Sequence, residues 1–175
     1  IYFRLKRKVL KTMKKKLNIL PILGLAIIAL LIVVFVVPVG TGIVGTSAIV
    51  NLKIPAYDIV FGNETINNLN ASSATIAAFT LLVIGAVFQL VAFILCLPNP
   101  EGSKKFSGFL FFVGGLCEIV TGAIYLAAVA VTKELLPPGL DYNLAWAFIV
   151  SGAVALVTAV VSIGTGVIAF GKKSK

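Results

Sequence analysis

Residues 106–132 read FSGFLFFVGGLCEIVTGAIYLAAVAVT, and Glu118, near their midpoint, is the one charged side chain among them. A helix needs about 20 predominantly apolar residues to cross a bilayer's hydrocarbon core, so this stretch reads as a membrane span. Three more of the same kind occupy residues 18–39, 75–97 and 144–170. Together they predict an all-α membrane protein: four transmembrane helices in an antiparallel bundle over residues 18–170. A basic segment, 1–17, precedes the bundle and a basic tail, 171–175, follows it.

Composition agrees. Of the 175 residues 59% are hydrophobic and 12% charged, with a mean hydropathy of +1.10. A soluble domain carries about twice that charge. The length accommodates one bundle and one modest loop, hence one domain. A net charge of +9 would suit nucleic acid, but the basic residues flank the spans, where they set orientation and meet anionic headgroups. No folded basic surface remains, so the partner read from the charge is the lipid bilayer and not nucleic acid.

Arg4, Lys6, Arg7, Lys8, Lys11, Lys14, Lys15 and Lys16 precede the first span. Lys104 and Lys105 lie between the second and third, and Lys172, Lys173 and Lys175 follow the fourth. The other two connections hold only Lys53 and Lys133. Insertion retains Lys and Arg in the cytoplasm, which predicts a multi-pass cell-membrane protein with both termini cytoplasmic.

The chain opens on Ile1, and Met13, its single methionine, precedes Lys14-Lys15-Lys16 and the first apolar run. Met13 therefore reads as a natural start. The same run also resembles a secretory signal with small residues at Thr46-Ser47-Ala48. Signal cores usually span about 7–15 residues, and this run is longer, which favours an uncleaved span.

Residues 40–74 form the one outer connection long enough to fold by itself. Ala48–Ile54 and Tyr57–Phe61 are β-prone, and Pro55-Ala56 divides them, which predicts a small hairpin on the outer surface. Its apolar residues, Ile49, Val50, Ile54, Ile59, Val60 and Phe61, predict packing on the bundle mouth or a partner. Asn63-Glu64-Thr65 and Asn70-Ala71-Ser72 are N-glycosylation triplets.

Within the spans, small and polar residues recur at steps of three and four, which share a helix face. The second span has Ala78, Leu82, Gly85, Gln89, Ala92 and Cys96; the third has Gly115, Glu118, Gly122 and Tyr125, with Gly114 and Thr121 alongside. The fourth has Ser151, Ala155, Thr158, Ser162 and Thr165. Small side chains let backbones approach and hydroxyls bond across helices, so Gly85, Gly115, Gly122, Ser151 and Ser162 are the expected packing positions. The first span offers few small residues, Gly24, Ala26 and Ala29, and is expected at the periphery.

Glu118 is the candidate functional residue. A carboxyl deep in a bilayer is costly and faces protein or water. Desolvation without a cationic partner favours its neutral form. Gln89 and Thr158 are the expected hydrogen-bond partners, with Tyr125 two turns outward, completing a buried polar cluster. Cys96 and Cys117 form no Cys-x-x-Cys pair and histidine is absent, which leaves no redox motif, no zinc cluster and no general base for Glu118. The sequence therefore predicts no cofactor, no metal and no enzyme. It points to a membrane protein that acts by packing with copies of itself or with another membrane protein. The alternative is a small proton- or cation-linked transporter or channel component that uses Glu118.

The layout of inside termini, a larger first outer loop and a tight inner turn resembles that of claudin-like and tetraspanin-like proteins. The chain departs from both. No Trp or Cys pair lies in residues 40–74, no Cys-Cys-Gly lies in the second outer loop, and Trp146 opens the fourth span instead. A mid-membrane Glu on four spans is also similar to the rotor proteolipids of V-type ATPases, whose extreme Gly/Ala content this chain lacks. No family is assigned on layout alone.

Overall fold

The computed structural model describes residues 19–63, 70–97 and 103–171. Four long helices dominate it: α1 (Ile19–Val36), α3 (Ser73–Cys96), α4 (Lys104–Leu126) and α6 (Trp146–Gly171). Each is long and apolar enough to cross a membrane. Two short helices, α2 (Ala56–Phe61) and α5 (Ala128–Thr132), and three strands, β1 (Thr41–Thr46), β2 (Asn51–Pro55) and β3 (Asp141–Leu144), lie between them.

The long helices close a ring in which α1 touches α3 and α6, and α4 touches α3 and α6. Neighbours run antiparallel, because contacts step in opposite directions along each pair. Gly108 meets Gly166, Gly115 meets Ala159 and Gly122 meets Gly152 across α4 and α6. The buried face of α3 is Thr75, Ala78, Leu82, Gly85, Gln89, Ala92 and Cys96, the small-and-polar stripe of the sequence extended by one turn. The outward faces carry exposed Leu25, Ile32, Val87, Ile94, Val160 and Val167, an apolar surface suited to lipid.

The first span keeps most of its surface outward, as expected: 28% of it is buried, the same share as in α3 and less than the 44% and 39% of α4 and α6. Its core face is Leu20, Gly24, Ile27, Leu31 and Val34, again at steps of three and four. A stripe of large aliphatics inside an all-apolar helix has no contrast in sequence, which is why it escaped the small-residue reading.

Span limits also shift. A 3-10 turn at Val37–Val39, with Pro38 in its first turn, ends the first helix early. The third span is not one helix to residue 132, because α4 stops at Leu126 and α5 resumes beyond Ala127. No glycine or proline explains that break.

At the sheet end of the bundle, β1 is the central strand of the order β2-β1-β3. It pairs antiparallel with β2 (Val44 opposite Lys53) and with β3 (Val44 opposite Asn143). The expected strand positions are corrected. Ser47 to Val50 is the hairpin turn, in which Ser47 Oγ accepts from the Val50 amide at 3.1 Å. Residues 57–61 are helical because Pro55 starts α2, Asp58 sits in its first turn, and Gly62, at φ 81°, ends it.

This layer packs on the bundle. Ile43, Ile54, Ala56 and Ile59 join Ala78, Tyr125, Ala147 and Phe148 in one buried cluster. Tyr57 donates to the Phe35 carbonyl at 2.6 Å, tying α2 to α1. Ser72 caps α3 and its amide donates to the Ile59 carbonyl at 3.3 Å. Of the two glycosylation triplets, Asn63 is partly buried, residues 64 and 65 lie outside the described residues, and Asn70 is exposed.

Candidate functional site

The site begins with how closely α4 approaches its neighbours. A Cβ placed on Gly115 would lie 3.0 Å from the Ala159 carbonyl oxygen, and one on Gly122 would lie 2.9 Å from the Gly152 carbonyl oxygen. On the other flank, a Cβ on Gly85 would meet the Gly114 carbonyl oxygen at 3.1 Å and Cys117 Cβ at 3.2 Å. At Gly122 a methyl group would force a backbone shift, and at Gly115 and Gly85 it would need the facing backbone to give by a few tenths of an ångström. Gly108, Gly115 and Gly122 on α4 are seven residues apart, as are Gly152, Ala159 and Gly166 on α6. The seven-residue step is the signal that also marks Gly108, Gly152 and Gly166, which a search for hydroxyls and three-or-four steps passes over.

Between these contacts lie polar side chains. Gln89, Glu118, Thr121, Ser151, Thr158 and Ser162 are completely buried, and Tyr125 and Thr165 nearly so. Gly114 makes space for Gln89, since a Cβ there would lie 2.8 Å from Gln89 Cγ. Gln89 Nε2 then donates to Ser162 Oγ at 2.8 Å, joining α3 to α6. Thr121 Oγ1 donates to the Ala78 carbonyl at 2.9 Å, joining α4 to α3.

Glu118 lies eight residues before the end of α4 at Leu126, or about 12 Å of helix. Because α4 ends early, the carboxyl sits about one turn toward the sheet end from the helix's middle, rather than at the centre of a longer span. Gln89 approaches it without reaching hydrogen-bonding geometry. Among the described residues, neither carboxyl oxygen of Glu118 has a hydrogen-bond partner, nor have Gln89 Oε1, Tyr125 OH and Ser151 Oγ.

Gln89 is the polar side chain that lies beside Glu118, whereas the expected pairing with Thr158 is corrected. Thr158 donates instead to the Val154 carbonyl of its own helix at 2.7 Å, because a helical threonine always has the carbonyl four residues back within reach. Gln89 gives one of its two Nε2 hydrogens to Ser162, which the register of α3 and α6 places opposite it. Tyr125 is remote from this group and packs its ring on Phe148, with centroids 5.3 Å apart.

Two shallow cavities of about 440 and 450 Å³ lie at the sheet end. Ser72, Lys133 and Glu134 help line one, and Leu126, Asp141 and Tyr142 the other; Glu118 lines neither. Among the described residues there is no group of three or more His, Cys, Asp and Glu side chains able to share a metal ion. The chain matches no protein family model, no curated protein and no solved structure.

Proposed function

We propose that this integral membrane protein is non-enzymatic and acts through helix packing, with copies of itself or with a partner membrane protein. The sealed position of Glu118 carries this reading. Its carboxyl is wholly buried among closely apposed helices, and neither sheet-end cavity reaches it. A coupled transporter needs water access to such a group. An organiser needs only that the interior be rigid and the outer surface apolar. The basic clusters orient the bundle with both termini in the cytoplasm of a cell membrane and the sheet layer outside.

Purified protein reconstituted into vesicles tests this. Proton and alkali-cation flux should equal that of protein-free vesicles, while energy transfer between labelled copies, or with a captured membrane partner, should report association. A flux that Glu118→Gln abolishes would move the assignment to the transporter reading.

A further inference from the structure

The two sheet-end cavities adjoin, because Ala130 and Lys133 line both. They make one shallow groove across α5, at the level where the spans leave the hydrocarbon. Exposed Ser73 opens α3 and lines the first cavity, and Trp146, 54% exposed, opens α6. A polar helix end and an interfacial tryptophan mark that boundary. Lys133 starts a 3-10 turn, Lys133–Leu135, that follows α5 directly and puts exposed Lys133 and Glu134 side by side in the first cavity. The rest of the wall is largely apolar. Leu126, Ala127, Ala130 and Val131 line the groove, are exposed, and recur at steps of four along the α4–α5 run.

We propose that this groove holds one phosphatidylethanolamine molecule, its phosphate on Lys133 and Ser73, its ammonium on Glu134, and an acyl chain along Ala130 and Val131. Charge complementarity selects the headgroup. One lysine stands against two carboxylates, Glu134 in the first cavity and Asp141 in the second. Among the described residues none of the three is held in an ion pair. An anionic phospholipid would bring a further negative charge to a groove with more acid than base, and like-charge juxtaposition is costly. A zwitterionic headgroup brings a phosphate for the lysine and a cation for the carboxylate.

Donors separate the two zwitterionic classes. An ammonium donates N–H groups to a carboxylate in charge-assisted hydrogen bonds, whereas quaternary choline has no N–H to give. On the phosphate side, the Lys133 ammonium and the Ser73 hydroxyl are donors. The apolar wall gives an acyl chain a surface to cover, which a soluble phosphate ester cannot use. Glu118 lines neither cavity. The lipid site therefore goes beyond the packing role and holds whether the bundle meets a copy of itself or another protein.

The experiment is native mass spectrometry of the full chain released from detergent and titrated with phosphatidylethanolamine, phosphatidylcholine and phosphatidylglycerol of identical acyl chains. The ethanolamine lipid should bind most tightly of the three. Lys133→Ala should weaken it about fivefold, the effect of one lysine on lipid charge near the membrane surface. Glu134→Gln should bring it level with the choline lipid, and Glu134→Lys should turn the preference to phosphatidylglycerol. Both side chains are exposed, so these variants should melt like the parent. Glycerophosphoethanolamine, the same headgroup without chains, should not displace the lipid at equal concentration. Equal binding of the three lipids overturns the proposal, as does an ethanolamine preference that survives Glu134→Gln or binding that ignores Lys133→Ala. Displacement by the chainless headgroup at equal concentration also overturns it, since the groove would then take a soluble phosphate ester.

Discussion

Gln89 on α3 and Ser162 on α6 are joined by a 2.8 Å hydrogen bond across a diagonal of the bundle, between helices that are not neighbours in the ring. Both are fully buried, so the bond spans the interior. Interhelical bonds in membrane bundles couple by about 0.6 kcal/mol on average and up to about 1.7. Gln89→Leu, Ser162→Ala and the double variant, melted in detergent, should show coupling within that range. Additive losses would mean that the two side chains stabilise the bundle independently.

The glycine contacts make a sharper claim because they differ between positions of the two most closely packed helices. Gly122 has the Gly152 carbonyl oxygen and Leu156 within 3 Å of where a Cβ would stand, whereas Gly164 has nothing within 4 Å. Gly122→Ala should destabilise by about 1–3 kcal/mol through overpacking. Gly164→Ala should be neutral or mildly stabilising, since alanine is the better helix former. Equal melting temperatures for the two variants would show that α4 and α6 do not pack through this face.

At the sheet end, Gly42 allows β1 to cross α2, with a Cβ there 2.7 Å from Ala56 Cα and 2.8 Å from the Phe148 ring. Gly42→Val should detach the sheet layer while leaving the four long helices associated. Amide hydrogen exchange should then rise at Ile43, Val44 and Gly45 and stay slow at Leu82 and Phe111. Unchanged protection in β1 would contradict this packing.

The four long helices and their facing stripes were legible because a polar or small residue in an apolar helix stands out against its surroundings. Gly85, Gly115, Gly122 and Ser162 all meet other helices. The inward face of α1 was not legible, since Leu20, Ile27 and Leu31 look like their lipid-facing neighbours. Strand β1 was missed for another reason. Gly42 and Gly45 weaken local strand preference, and the strand is sustained by β3, nearly a hundred residues later in the chain. Which group Glu118 approaches depends on the register of α4 against α3 and α6, and no spacing within one helix encodes that.

Orientation rests on the basic clusters. In a variant with Cys96 and Cys117 replaced, a cysteine at Ile49, 94% exposed at the hairpin tip, should react with an impermeant maleimide on intact cells. A cysteine at Gly102 should react only after permeabilisation. The reverse pattern would invert the bundle in the membrane.

The central claim is that Glu118 is a sealed, neutral element of a packing core, and its protonation state tests that most directly. Infrared difference spectra of the parent against Glu118→Gln should be recorded at neutral pH, in buffer free of alkali cations. They should show the carbonyl stretch of a protonated carboxyl, and the Gln variant should melt like the parent, while Glu118→Leu should melt lower because it sets an apolar side chain against the second N–H of buried Gln89. An ionised carboxylate band under those conditions, together with proton flux that disappears in Glu118→Gln, would contradict the packing role.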